Sequence, residues 1–214
     1  MRLGAVPSRP GISQPSEAFG SFLRGKVFIN CPYDPPFQPF LIAYIVSVSA
    51  HGLQPRAACE FAGFPRLEKI VKLIGECQAS LHDFSRFGNR FNVPFEYGIA
   101  FGLQHREPGR HVCFAFSSSQ LKIDKALSDL WGVELHIHRG SRKRLFAGIA
   151  NVFAGGIARP TIGQMERIYQ GLVNALPRLK LESGAKSVFE PRIFKEMVTL
   201  ARVLSDRIVK PHVG

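Results

Sequence analysis

"ASLHDFSRFGNRFNVPFEYGIAFGLQHREPGRHVCFAFS", residues 79–117, changes its hydrophobic pattern twice, and those changes decide the fold. "ASLHDF" reads as a strand that closes on the acid Asp83, and the polar loop after it cannot continue the strand. "NVPFEYGIAFGLQHR" reads as a helix: Asn92 fits an N-cap, and Pro94 fits the first turn, where its missing N–H would have no intrahelical partner. "RHVCFAFS" is nearly all apolar, as a central parallel strand is. A strand, a helix and a second strand in that order predict a right-handed crossover between parallel strands.

The alternation continues on both sides. Upstream, "KVFIN" (26–30) is a β-rich run stopped by "CPYDPP", whose three prolines forbid further strand or helix. It is followed by a buried helix, "FQPFLIAYIVSVSAHG" (37–52), closed by Gly52, and by a second strand, "PRAACEF" (55–61). Next, "PRLEKIVKLIGECQ" (65–78) is an amphipathic helix with Leu67, Ile70, Val71 and Ile74 on one stripe. Downstream, a shorter helix (119–132), a fifth strand "VELHIH" (133–138) and a helix "RKRLFAGIANVFAG" (142–155) complete the pattern. After "GGIARP" the β-rich segments stop, and residues 161–179 and 189–208 read as two helices joined by "LESGAKS". The predicted architecture is an α/β domain over residues 26–156, a doubly wound parallel sheet of about five strands, preceded by a flexible leader (1–25) and followed by a basic helical hairpin (157–214).

Composition narrows the function classes. The longest apolar run, Phe40 to Ala50, is too short to span a bilayer, and residues 1–25 lack the apolar core of a secretory signal, so no membrane contact and a cytoplasmic location are expected. Four scattered cysteines without a C-x-x-C pair read as buried thiols. His136 and His138 share a strand face but have no third ligand nearby, so no metal site is expected and the face reads as partly exposed. Residues 139–214 hold 14 of the 28 Lys/Arg and 5 of the 16 Asp/Glu, a balance of +9 within a total of +12. The basic C-terminal third is a candidate for contact with nucleic acid, a phosphorylated ligand or an acidic partner, or is simply a solvated basic surface.

No G-x-G-x-x-G follows the first strand, and the Walker loop, the G-x-S-x-G elbow and H-E-x-x-H are all missing. What remains is the set of loops at one edge of the predicted sheet, where Asn30, Tyr33, Asp34, Asp83, Ser85, Asn92 and Glu96 converge. Glu96 is placed in the first turn of its helix, where the dipole favours the carboxylate. A carboxylate so held is a poor general acid but suits a nucleophile or an electrostatic partner for an oxocarbenium-like ribosyl transition state. The alternative is a glutamate that merely complements the dipole.

"VFINCPYD", "LEKIVKLIGECQASLHDFSR" and "RFNVPFEYGIAFGL" together resemble the bacterial branch of the Toll/interleukin-1 receptor (TIR) superfamily and, through it, the nucleoside 2-deoxyribosyltransferases. The matching positions are Asp83, Ser85, Asn92, Val93, Glu96, Gly98 and Ala100, within about residues 26–154. The Trp-Cys pair found in many TIR domains is replaced by Val93 to Phe95. The resemblance implies a flavodoxin-like sheet and cleavage of the nicotinamide–ribose bond of NAD, the substrate, with no further cofactor. It implies Glu96 as the catalytic residue, and Asp83 and Ser85 as sugar or amide contacts. Asn30, Pro32, Tyr33, Asp34 and Asn92 would serve as nucleotide contacts, with Tyr33 stacking on a ring. It further implies antiphage defence through a homo-oligomer or an assembly with a partner protein. A free-nucleoside enzyme and a non-catalytic adaptor or nucleotide sensor are the competing expectations.

Overall fold

The computed structural model describes residues 25–61, 63, 65–86, 91–119, 133–156 and 158–209. Five strands, β1 (Lys26–Asn30), β2 (Gln54–Ala57), β3 (Ala79–Asp83), β4 (Val112–Ser117) and β5 (Leu135–Ile137), form one parallel sheet in the order β2-β1-β3-β4-β5. This is the flavodoxin-like, doubly wound order, and the winding direction reverses between β1 and β3. Six α-helices lie among the described residues: α1 (Gln38–Ala50), α2 (Arg66–Glu76), α3 (Asn92–Arg106), α4 (Arg142–Val152), α5 (Ile162–Ser183) and α6 (Pro191–Ile208). The expected leader lies outside the described residues except for Gly25, and so does the helix expected over 119–132 except for Ser119. Among the described residues no helix is long and apolar enough to cross a membrane.

Alternation along the central strands divides the core in two. Val27, Ile29, Leu81 and Phe116 face α1, α4, α5 and α6, whereas Phe28, Cys113 and Ala115 face α2 and α3. Helix α1 is buried continuously from Leu41 to Ala50 because the sheet covers one side and the C-terminal helices cover the other. It needs no polar stripe. Its end is a Schellman motif: Gly52, at φ 76°, supplies the left-handed residue, while Gly52 N–H donates to Ser49 O and Leu53 N–H to Val48 O.

Helices α5 and α6 seat on α1, and Met165, Ile168, Leu172, Phe194, Met197 and Ala201 join the same buried cluster as the sheet. Helix α5 starts in a Thr161–Gln164 capping box and runs through Pro177 to Ser183, four residues beyond its expected end, before a left-handed Gly184 at φ 69°. Two other expectations are corrected. The second strand stops at Ala57 because the Glu60 carboxylate turns back to accept from Ala57 N–H (2.6 Å) and Arg56 Nε (2.8 Å), winding Ala58–Glu60 into a 3-10 turn. The buried stripe of α2 is Ile70, Leu73, Ile74 and then Cys77, an i, i+3, i+4, i+7 set facing the sheet, while Leu67 and Val71 stay half exposed.

Candidate active site

At the carboxyl ends of β1 and β3, where the winding reverses, lies a cleft of about 100 Å3 whose lining includes Pro32, Tyr33, Arg66, Asp83, Arg86 and Asn92. This is the place at which doubly wound sheets bind ligands. Of the eight residues singled out from sequence, Pro32, Tyr33, Asp83 and Asn92 line the cleft. Three others join it through one neighbour: Asp34 by an ion pair with Arg86 (3.4 Å), Glu96 by one with Arg66 (3.3 Å), and Ser85 by donating its N–H to Asp83 Oδ1 (2.9 Å). Asn30 is not in the lining; its amide meets His82 Nδ1 at 2.9 Å and also acts on Glu96 by hydrogen bonding.

The helix that carries Glu96 is capped one residue earlier than expected. Phe91 occupies the N-cap, without a side-chain cap, and Asn92 is the first helical residue. Glu96 is therefore the fifth residue and lies beyond the first turn, so burial and a neighbouring charge govern it instead of the helix dipole. It is only 3% exposed. Burial raises its pKa, and the Arg66 charge together with hydrogen bonds from Asn30 and Arg66 opposes that rise. Oε1 accepts from Arg66 Nε, while Oε2 has no hydrogen-bond donor among the described residues. A carboxylate stripped of water, with one oxygen uncommitted, interacts strongly with any cation formed beside it.

Asp83 has a different environment. Strand alternation turns it to the α1 side of the sheet, and it is fully buried. Tyr44 OH donates to Oδ2 at 2.7 Å, Ser85 N–H donates to Oδ1, and His138 Nε2 lies 3.2 Å from Oδ2. Burial, and then Asp83 itself, push the Tyr44 phenol well above its usual pKa, so it stays a donor. Gly140 N–H donates to His138 Nδ1 (3.2 Å), which places the proton of the neutral ring on Nε2, between Asp83 and Ser85 Oγ at 3.0 Å. The ring donates toward Ser85 and so cannot take its proton. Ser85 Oγ also accepts from Ser118 N–H (2.8 Å). This is a holding network for the acid, and a serine nucleophile is not set up in it.

Tyr33 is held from two sides. Its OH accepts from Ala58 N–H at 3.0 Å, and its ring packs on Phe189, from the loop joining α5 to α6, at 5.4 Å between centroids. The Arg66 guanidinium lies 5.9 Å from the same ring. The C-terminal helical pair thus reaches the cleft through Phe189.

Sequence reasoning missed Arg66, Arg86, Tyr44 and His138. A signal existed for two of them. Arg66 opens α2 where the dipole disfavours a cation, a local misfit that implies an acidic partner. His138 follows β5 at the ligand-binding edge; the expected partly exposed strand face holds for His136 and is corrected for His138, since β5 ends at Ile137 and His138 is 2% exposed. His136, its expected companion, stacks on Phe116 at 4.9 Å. Comparison with protein-family models, with curated proteins and with solved structures yields no match, so the site stands on its own geometry.

Proposed function

We propose that this protein cleaves the N-glycosidic bond of a ribosylated cation, with NAD as the substrate, and that Glu96 carries the step. The observation that supports this most is the buried Glu96 carboxyl with one oxygen on Arg66 and the other uncommitted, beside a cleft at the strand switch point. In NAD the nicotinamide ring is a pyridinium. When C1′–N breaks, the electron pair neutralises the ring, which leaves without needing a proton. The positive charge moves to the ribose as an oxocarbenium ion, and one anionic carboxylate stabilises it or captures it. Water then adds to C1′ and loses a proton, giving ADP-ribose.

A free nucleoside makes a further demand, because its base departs as an anion and needs a general acid. Asp83 is the nearest candidate, and three donors already hold it. That favours NAD over the nucleoside alternative. The cleft, at about 100 Å3, holds a reacting ribose rather than a whole dinucleotide, since sites for ligands of that size run from roughly 300 Å3 upward. Arg66 and Arg86, each about half exposed in the cleft wall, are suited to the phosphates that remain outside it. On this reading a second copy completes the site, as in the assemblies the TIR resemblance implies, and turnover serves defence.

Nicotinamide release from NAD tests the reading, measured for wild type and Glu96→Gln over a range of protein concentrations with a crowding agent. The expected result is a loss of about 10²- to 10⁴-fold in the variant with its thermal unfolding retained. An equal rate in the two proteins would reject Glu96 as the reacting carboxylate. Binding of NAD without release would favour the nucleotide-sensor alternative.

A further inference from the structure

A buried chain of polar side chains runs from Asn30 along β3 to the opposite end of the sheet. The register pairs Asn30 with His82, and Ser80 lies two residues earlier on the same face of β3. Asn30 Nδ2 meets His82 Nδ1 at 2.9 Å, His82 Nε2 meets Ser80 Oγ at 2.7 Å, and Ser80 Oγ meets His111 Nε2 at 2.8 Å. His111 Nδ1 then meets the Cys77 carbonyl at 2.8 Å. Asn30 is 3% exposed and the other three side chains are fully buried.

The direction of every bond follows from the carbonyl end. A carbonyl only accepts, so His111 Nδ1 donates. Burial lowers the pKa of both rings, that of His82 to about 3, which keeps them neutral near pH 7 with one proton each. His111 Nε2 is then an acceptor, and the single Ser80 proton goes to it. Ser80 must therefore accept from His82 Nε2–H, which leaves His82 Nδ1 as an acceptor. Only the NH2 end of the Asn30 amide satisfies that nitrogen. The same amide acts on Glu96 by hydrogen bonding.

We propose that the Cys77 carbonyl, acting through His111, Ser80 and His82, fixes which end of the Asn30 amide faces the site, and so keeps an N–H donor on Glu96 where an amide oxygen would repel it. His82, Ser80 and His111 are positioning residues at one to three removes from the carboxylate. Their effect on turnover rests on the reading of Glu96 given above. The orientation of the chain does not.

Long-range proton–nitrogen correlation on the 15N-labelled full chain reads the two tautomers directly. At pH 7 the expected pattern is opposite tautomers, His111 protonated at Nδ1 and His82 at Nε2. His82 protonated at Nδ1, or both rings in one tautomer, would overturn the proposal using wild type alone. Asn30→Asp removes the donor, so His82 is expected to move its proton to Nδ1 while His111 stays as it was; an unmoved His82 would also overturn it. Ser80→Ala interrupts the chain and is expected to lower kcat for nicotinamide release with KM unchanged, and Ser80→Thr, which keeps the hydroxyl, to restore it. Opposite tautomers in a wild type that releases no nicotinamide would sustain the orientation and reject the Glu96 reading, so the two failures are separable.

Discussion

The two faces of the sheet treat their acids differently. On the α1 side the core is two helix layers deep, and Asp83 finds three partners there in Tyr44, Ser85 and His138. On the α2–α3 side the cover among the described residues is a single layer with Leu67, Val71, Phe91 and Phe95 exposed, and Glu96 keeps one oxygen without a donor among them. A buried polar atom without a partner costs stability, on the order of 1–3 kcal/mol. The thick face also buries Ser47 Oγ, Ser49 Oγ and Arg142 Nε without partners among the described residues, so the contrast lies in the two acids: Asp83 is settled, and Glu96 keeps one oxygen unsettled beside the cleft. On the proposed reading the reacting carboxylate therefore belongs to the thin face, and Asp83 lines the cleft from the other.

The largest expected effect breaks the thick face. Phe194 is 1% exposed in the cluster that joins α6 to α1. Phe194→Ala is expected to cost about 3–5 kcal/mol, measured by urea unfolding at constant m-value. A loss under about 1 kcal/mol would mean that the helical pair rests on the domain without sharing its core. Gly171 marks how close the pair is packed, since a Cβ there would meet Leu204 Cδ1 at 3.1 Å.

Acid probes both faces at once. His51, which caps the end of α1, is lowered to about 4, and His82, behind the cleft, to about 3, both chiefly by burial. In the unfolded chain each takes a proton near pH 6.5, whereas the native state refuses it until far lower. The stability these neutral rings allow is complete above pH 6.5 and falls as the pH drops below it, at about 1.4 kcal/mol per pH unit for each ring. Glu96, with its raised pKa, acts in the opposite sense, favouring the native state as the pH falls through the carboxylate range. Two rings outweigh one carboxyl, so unfolding midpoints in urea should decline from pH 7 to pH 5. A flat profile would mean that at least one of the rings is protonated in the native protein.

The parallel order could be read from the sequence because each strand–helix unit states its own period, and "KVFIN" gave β1 to the residue. What could not be read is which side of the sheet an acid faces. Asp83 and Glu96 are 13 positions apart and seemed one pair, yet strand alternation sends Asp83 to α1 while α3 brings Glu96 to the other face. The α2 stripe failed for a similar reason: Leu67 and Val71 satisfy the same helical spacing as Leu73, and only the position of β1 and β3 decides between them. Arg66 and His138 were overlooked because their roles lie in partners distant in sequence, Glu96 and Asp83, and period and composition carry no information about such pairs.

The smallest expected effect concerns the same residue type on the thin face. Phe95 precedes Glu96 in the chain but is 59% exposed, so its ring has left most of its hydration in place. Phe95→Ser removes little buried area, and the two residues differ little in helix propensity, so the change should stay within about 0.5 kcal/mol. Phe194→Ala and Phe95→Ser, compared in the same urea titration, thus measure how unequal the two faces are. A cost above about 2 kcal/mol for Phe95→Ser would require a cover over α3 and would remove the contrast between a closed face and an open one. If the cost is small, the thin face tolerates polar change right beside Glu96, and the loss in Glu96→Gln can then be assigned to the carboxylate rather than to a general loosening of α3.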